Sequence, residues 1–375
     1  MSKMGQFILV FLFATLGASS VQAKTFRIAA LYADTMTGHF NCTCNQEAAC
    51  MTRAVVEQAK KEGLDASFTL VTRDHNMFST LEAAKQIAQE KYDAVVGTLV
   101  STDAIVAGTV FEEAGIPFVA PTATNPSVTA GKKFVTRIPF NDYQQSYLLA
   151  KLASQELKAR SVAIIRNTSQ PYSDFLGSHF AVEIKKLNPG IKVRDFPTFE
   201  GFTAFDSLIE KVLEEPTDLI FVPIMQASIA NVYVALESRG AKLTLLSSDT
   251  VEGQPKFIDL LGTRSGRIRF IYPKHWNDRV EGPESVNYLH LHKKYCSQYP
   301  HSMTTIAAYD AASVLVRTLK KNRQIRGEKI IRAIHRQKYH GMAGELAYGK
   351  DGDPIKPLEL FELKGNRGVH WRRWE

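Results

Sequence analysis

Between Asp93 and Pro126 two short apolar runs each end in small hydroxyl residues. Asp93-Ala-Val-Val-Gly-Thr-Leu-Val leads into Ser101-Thr-Asp-Ala, and Gly115-Ile-Pro-Phe-Val-Ala-Pro leads into Thr122-Ala-Thr-Asn-Pro. A β-branched run that feeds Ser or Thr and then a helical pattern is how an open parallel sheet presents hydroxyls and free backbone N–H groups to a ligand. Such groups suit a carboxylate. Ser101 and Thr102 open a helical stretch through Phe111, where the helix dipole favours negative charge, although either residue can also serve as a plain N-cap. Thr122 and Thr124 occupy the next strand-end loop; as a simple turn before Asn125-Pro126 they need no ligand.

Asp249, in Ser247-Ser-Asp-Thr, follows another strand-like run. A carboxylate buried there without a cation is costly, so a ligand ammonium gives it a reason to be present, with a capping role as the alternative. Catalytic chemistry has less support. Asp74-His75 follows a strand, and ten histidines could supply a base, but the chain has no G-x-S-x-G elbow, H-E-x-x-H helix or phosphate loop. An isolated Asp-His pair is usually a turn, and His290 and His292 fall on a helical face. Of four cysteines, Cys42, Cys44 and Cys50 are close together and Cys296 is remote. A local disulfide of Cys42 or Cys44 with Cys50 is expected, with a metal site using His39 as the sharper alternative despite its irregular spacing.

Positioning these residues requires an alternating framework. Phe26 to Tyr32, Ser67 to Thr72 and the two hydroxyl-ended runs read as strands, with helices over Gln46 to Glu62 and Leu81 to Lys91. Asp142 is placed to cap a helix over Tyr143 to Leu157. Strands Ser161–Ile165, Lys192–Phe196, Asp218–Pro223 and Leu243–Ser247 then alternate with helices Asp174–Leu187, Phe205–Leu213 and Ala227–Arg239. Such alternation predicts parallel strands, right-handed crossovers and helices on both faces, repeated in two lobes. The strand-like run Gly266 to Tyr272 is followed by helices Ser285–Tyr299 and Thr304–Lys320, which return to the first lobe.

The start of the chain agrees with export. Lys3 precedes an apolar stretch from Phe7 to about Ala18, and Val21-Gln-Ala23 supplies small residues before a cut ahead of Lys24. That pattern predicts a signal peptide over 1–23 and an exported mature protein. The hydrophobic content of 45% fits a globular chain. The formal net charge of +8 includes a basic, aromatic tail from Arg367 to Arg373, read as a solvated terminal strand and not as a nucleic-acid surface.

Taken in order, Ser101-Thr102 after Val-Val-Gly, Ala-Gly-Ile-Pro, Ala-Thr-Asn-Pro, Phe134-Val-Thr-Arg-Ile-Pro, Asp142-Tyr-Gln-Gln, Tyr309-Asp-Ala-Ala and Gly349-Lys-Asp-Gly-Asp resemble the type I periplasmic substrate-binding proteins of ABC importers. The likeness is nearest to the branched-chain amino acid and amide receptors. It implies an α/β fold of two doubly wound, Rossmann-like lobes joined by a three-strand hinge, with 24–140 and 273–340 in one lobe and 141–272 and 341–375 in the other. The resemblance also implies the site. The Ala123 backbone carbonyl and the Thr124 hydroxyl, beside Thr122, would grip an amino acid; Tyr172 would close over it; Asp249 would pair with its ammonium; Met225 and Gln226 would line its side-chain pocket. The implied partners are a small-molecule ligand, an amino acid or amide, and ABC permease subunits. No cofactor, metal, catalysis or nucleic acid is implied, and a monomer is expected. A ligand-sensing subunit of a signalling system is the alternative.

Overall fold

The protein is described by a computed structural model covering residues 25–34, 43–74, 76–251, 256–276 and 282–374. The expected signal peptide, His39, Cys42 and His75 lie outside the described residues.

The first sheet is wholly parallel. Its strands are β1 (Phe26–Ala33), β2 (Ala66–Arg73), β3 (Ala94–Gly97), β4 (Phe118–Ala120) and β5 (Val135–Arg137), in the order β2-β1-β3-β4-β5. Helices α1 (Cys44–Lys61), α2 (Met77–Gln89) and α3 (Ser101–Ala114) connect them. After β5 the chain forms α4 (Asp142–Lys151) and builds a second sheet from β6 (Ser161–Asn167), β7 (Lys192–Thr198), β8 (Leu219–Val222), β9 (Thr244–Ser247) and β10 (Arg269–Lys274), interleaved with α5 (Pro171–Leu187), α6 (Phe205–Leu213), α7 (Gln226–Ser238) and α8 (Lys256–Leu261). These five strands run β7-β6-β8-β9-β10, which repeats the order of the first sheet. In both, the order reverses beside the first strand, and loops at the carboxyl ends there flank a natural ligand crevice.

Helices α9 (Pro283–Tyr295), α10 (Met303–Lys321) and α11 (Glu328–His335) go back to the first sheet. Leu291, Ile306, Leu315 and Ile331 share one apolar cluster with Ile28, Val96 and Val119. A small antiparallel sheet follows, of β11 (Tyr339–Gly341), β12 (Gly344–Tyr348) and β13 (Pro354–Ile355). Finally β14 (Leu358–Lys364) joins β10 antiparallel, and β15 (Arg367–Trp374) closes that edge. The basic tail is therefore a strand, with Trp371 and Trp374 packed on the core. Among the described residues no helix is long and apolar enough to cross a membrane.

Cysteine pairing departs from expectation. Cys50 is bonded to Cys296, with Cα atoms 5.9 Å apart, and not to Cys42 or Cys44. Cys44 is disulfide-bonded as well. Both Cys44 and Cys50 lie on α1, and six helical residues separate them by roughly 9 Å along the axis, too far for a bridge. The helix instead turns Cys50 toward the end of α9. No cluster suited to a metal ion occurs among the described residues. Because the bond closes a loop of sequence separation 246, Cys296→Ser should lower stability by about 2–5 kcal/mol. Urea unfolding with and without reductant checks this; coincident midpoints would exclude a structural role.

Candidate functional site

Among the helices without a side-chain cap, α3 at Ser101, α5 at Pro171 and α7 at Gln226 each begin directly beyond the carboxyl end of a strand. Their first-turn N–H groups therefore lack the usual oxygen partner and carry the positive end of the helix dipole. Ser101 is buried, and its Oγ accepts the Asn125 backbone N–H at 3.2 Å. The Asn125 side chain crosses to the other sheet's loop and donates to the Pro171 carbonyl at 2.8 Å. This bond brings the β4 loop against the start of α5.

The β4 loop is shaped by Arg137, a fully buried residue at the end of β5. Its guanidinium donates to the carbonyls of Ala123 (3.2 Å), Asn125 (2.9 Å) and Pro126 (3.3 Å), and its Nε lies 2.8 Å from Asp353. Asp353 also accepts from Asn141 and Thr129, so the loop before β13 helps hold the rim. Burial pulls the Arg137 pKa down and the Asp353 charge opposes it.

On the second sheet's side, Asp249 starts the turn after β9 and accepts the Tyr172 hydroxyl at 2.6 Å. Its other oxygen lies 2.9 Å from His275 Nε2, and its backbone N–H donates to Gln145 Oε1 at 3.1 Å. His275, after β10, stacks on Phe140 with centroids 3.9 Å apart. Gln145 Nε2 donates in turn to Asp142 Oδ1 at 3.1 Å, and the Asp142 backbone N–H donates to the Thr124 carbonyl at 3.0 Å.

The electrostatics divide the roles. Burial raises the Tyr172 pKa far above its ordinary value, and the Asp249 charge adds to this, so the phenol is a proton donor. For Asp249, burial pulls upward, but the bond and charge of His275 and the Tyr172 hydroxyl outweigh it and hold the carboxyl below its usual range. Burial pushes the His275 pKa down against the pull of Asp249. Burial and then the Asp249 charge push Asp142 well up. Of the two carboxyls, Asp249 is therefore the one its surroundings favour as the anion.

The structure places the expected residues unevenly. Ser101, Thr124, Tyr172 and Asp249 are buried or nearly so and belong to the bonded chain just described. Thr102 is half-buried beside Ser101. The Thr122 hydroxyl is spent on the Leu99 carbonyl, and the Ala123 carbonyl on Arg137. Gln226 donates to the Thr250 carbonyl next to Asp249. Met225 faces a crevice of Gln170, Phe199, Phe202 and Phe205.

One expectation needs correction. Asn141, not Asp142, caps α4 by accepting the Gln144 N–H at 3.0 Å, which frees Asp142 to turn inward. Asp249 has His275 and Tyr172 as partners in this structure, so its burial is not by itself an argument for a ligand. Arg137, Asp142, Gln145 and His275 were all missed as site residues. The available signal is their position at a strand end: Arg137 ends β5, Asp142 and Gln145 come soon after it, and His275 follows β10.

A family model described as periplasmic binding protein matches residues 25–368. A leucine-, isoleucine-, valine-, threonine- and alanine-binding protein of Pseudomonas aeruginosa is 22% identical over 72% of this chain and 71% of its own length. The crystal structure of a leucine binding protein, LivK, from Thermotoga maritima superposes with a TM-score of 0.81 at 22% identity, covering 94% of this chain and 99% of that one. A solute binding protein of an ABC transporter from Rhodopseudomonas palustris, in complex with p-hydroxybenzoic acid, gives 0.79 at 18% identity, with 94% and 98% covered.

Proposed function

This chain belongs to the periplasmic binding protein family, and from that premise we propose that it captures an amino acid or a related small polar solute between its two sheets and delivers it to the membrane subunits of an ABC importer. Family membership makes it an extracytoplasmic solute-binding protein and not an enzyme. The observation that carries the finer reading is a pairing of opposite poles. The uncapped start of α3 at Ser101 and the anionic Asp249 are joined through Asn125, Pro171 and Tyr172. A zwitterion has one group for each pole.

Ser101 and Thr102, with the N–H groups of α3, would hold the carboxylate. Thr122, Ala123 and Thr124 form the rim beside it, and Tyr172 with Asp249 meets the ammonium as the lobes close. Met225 and Gln226 would contact the ligand side chain. Closure is driven only by contacts made better in the closed form; a protein about 99% open needs roughly ten-thousand-fold preference to become almost wholly closed. An N-terminal signal over 1–23 and a monomeric receptor complete the proposal.

The p-hydroxybenzoic acid complex of a structural neighbour favours testing a second class, carboxylates without an amine. A thermal-shift panel of L-amino acids, amides and simple or aromatic carboxylates decides between them. Ligand at a hundred times its Kd should stabilise by about 2.7 kcal/mol, a rise of a few degrees. At least one amino acid should produce it; a panel in which none does would overturn the amino-acid reading.

A further inference from the structure

We propose that the first lobe carries a second small-molecule site, separate from the crevice between the sheets, which takes a neutral solute bearing an amide on an apolar or aromatic body. A cavity of about 430 Å³ opens between the end of β1, the strand β2, one face of α1 and the end of α9. Small-molecule sites commonly have this size. β2 is the edge strand and β1 stands between it and β3, which leads into Ser101. The cavity and the start of α3 are therefore on opposite sides of β1, roughly 10 Å apart at two strand spacings. Ser101, Tyr172 and Asp249 do not line it.

Two side chains in the first turn of α1 line the polar end of this cavity and are only half bonded. Asn45 is 3% exposed; its Oδ1 accepts the Ala33 N–H at 3.2 Å, while its Nδ2 makes no hydrogen bond. Gln46 donates from Nε2 to the Asp34 carbonyl, while its Oε1 accepts none. Each amide is thus anchored at one end, which decides which atom is the nitrogen and which the oxygen. A donor and an acceptor are left buried on consecutive residues, and such groups are costly to leave unpaired. The matching ligand group presents a carbonyl to Asn45 and an N–H to Gln46. An amide has both and carries no charge.

The remaining walls set the body and the charge of the solute. Leu70, Tyr295 and Tyr299 are partly buried against the lobe's core and line the cavity, and Ala49 leaves the α1 side open. The Cys50–Cys296 bond ties the end of α9 to α1 and so holds that wall in place. Of the charged groups in the lining, Glu57 is paired with Lys60 at 3.0 Å, and Arg53 lies over the Phe68 ring at 5.7 Å. Arg53 offsets Asp34, so neither sign prevails, and an ion entering the cavity would lose its hydration without a countercharge. The uncapped helix start at Ser101 differs in this respect, since it favours an anion.

The test is isothermal titration of the mature protein with N-acetyl-L-phenylalaninamide and, as its anionic counterpart, N-acetyl-L-phenylalanine. The amide should bind with a Kd of about 1 mM or tighter, and the acid about tenfold or more weakly. Thr72 is exposed on β2 and lines the cavity, so Thr72→Trp fills the space from the solvent side. That variant should weaken the amide by about tenfold or more and leave the melting temperature unchanged. Asn45→Asp keeps the acceptor for the Ala33 N–H but exchanges the unbonded donor for an acceptor, and should weaken the amide to a similar extent. Should it fold poorly, Thr72→Trp decides. No binding of the amide at about 10 mM, equal binding of the acid, or amide binding untouched by Thr72→Trp each overturns the proposal. Any amino acid that raises the melting temperature of the wild type should bind Thr72→Trp with unchanged affinity; parallel loss of amino acid and amide would make the cavity part of the crevice and overturn its separate status.

Discussion

Asp249→Ala should abolish the thermal shift produced by an amino acid while sparing one produced by a simple carboxylate. The charged hydrogen bond to an ammonium is worth about 1.5–3 kcal/mol, so loss of the anion weakens amino-acid binding by about 10- to 100-fold or more. A carboxylate held at the start of α3 does not use that bond. The variant also leaves the Tyr172 hydroxyl and His275 Nε2 short of an acceptor. Each orphaned donor costs about 1–3 kcal/mol, so the ligand-free melting temperature should fall too. Measuring both ligand classes on the same variant separates recognition from stability. Equal loss of both would remove the role given to Asp249.

Gly97→Ala should give the largest loss of stability. Gly97 ends β3, which is hydrogen-bonded to β1 on one side and β4 on the other. Its φ of +145° lies where L side chains rarely go, and an added Cβ would overlap the carbonyl oxygen of Leu31 on β1. Backbone on both sides is fixed by the ladder, so neither strand can yield cheaply. Backbone strain of about 1–3 kcal/mol adds to overpacking of similar size, a total of about 2–6 kcal/mol. Urea unfolding measures this, and a midpoint equal to that of the wild type would show that the strand end relaxes. Because β3 leads directly into Ser101, a folded remnant should also bind ligand poorly.

The fold class was legible because strands and helices announce themselves locally. Phe205–Leu213 has the bounds its periodicity predicts, and β7 and α5 begin or end within a few residues of theirs. The Ser101 start of α3 and the Thr124 loop were legible for the same reason: each directly follows its own strand. The errors share a different cause. Asp142 was read as a cap because it stands before a helical run, but Asn141 one residue earlier reaches the N–H first. His275 directly follows β10, but only the bond to Asp249 shows what it does.

By itself the sequence determined periodic strands and helices, hence two alternating α/β units with hydroxyl residues at strand ends, since each of these depends on neighbours only a few positions away. Tertiary structure alone decided which donors surround Asp249 and which cysteines meet. Tyr172 and Asp249 are 77 residues apart, Cys50 and Cys296 are 246 apart, and such pairs acquire partners only when burial has removed water as the competitor.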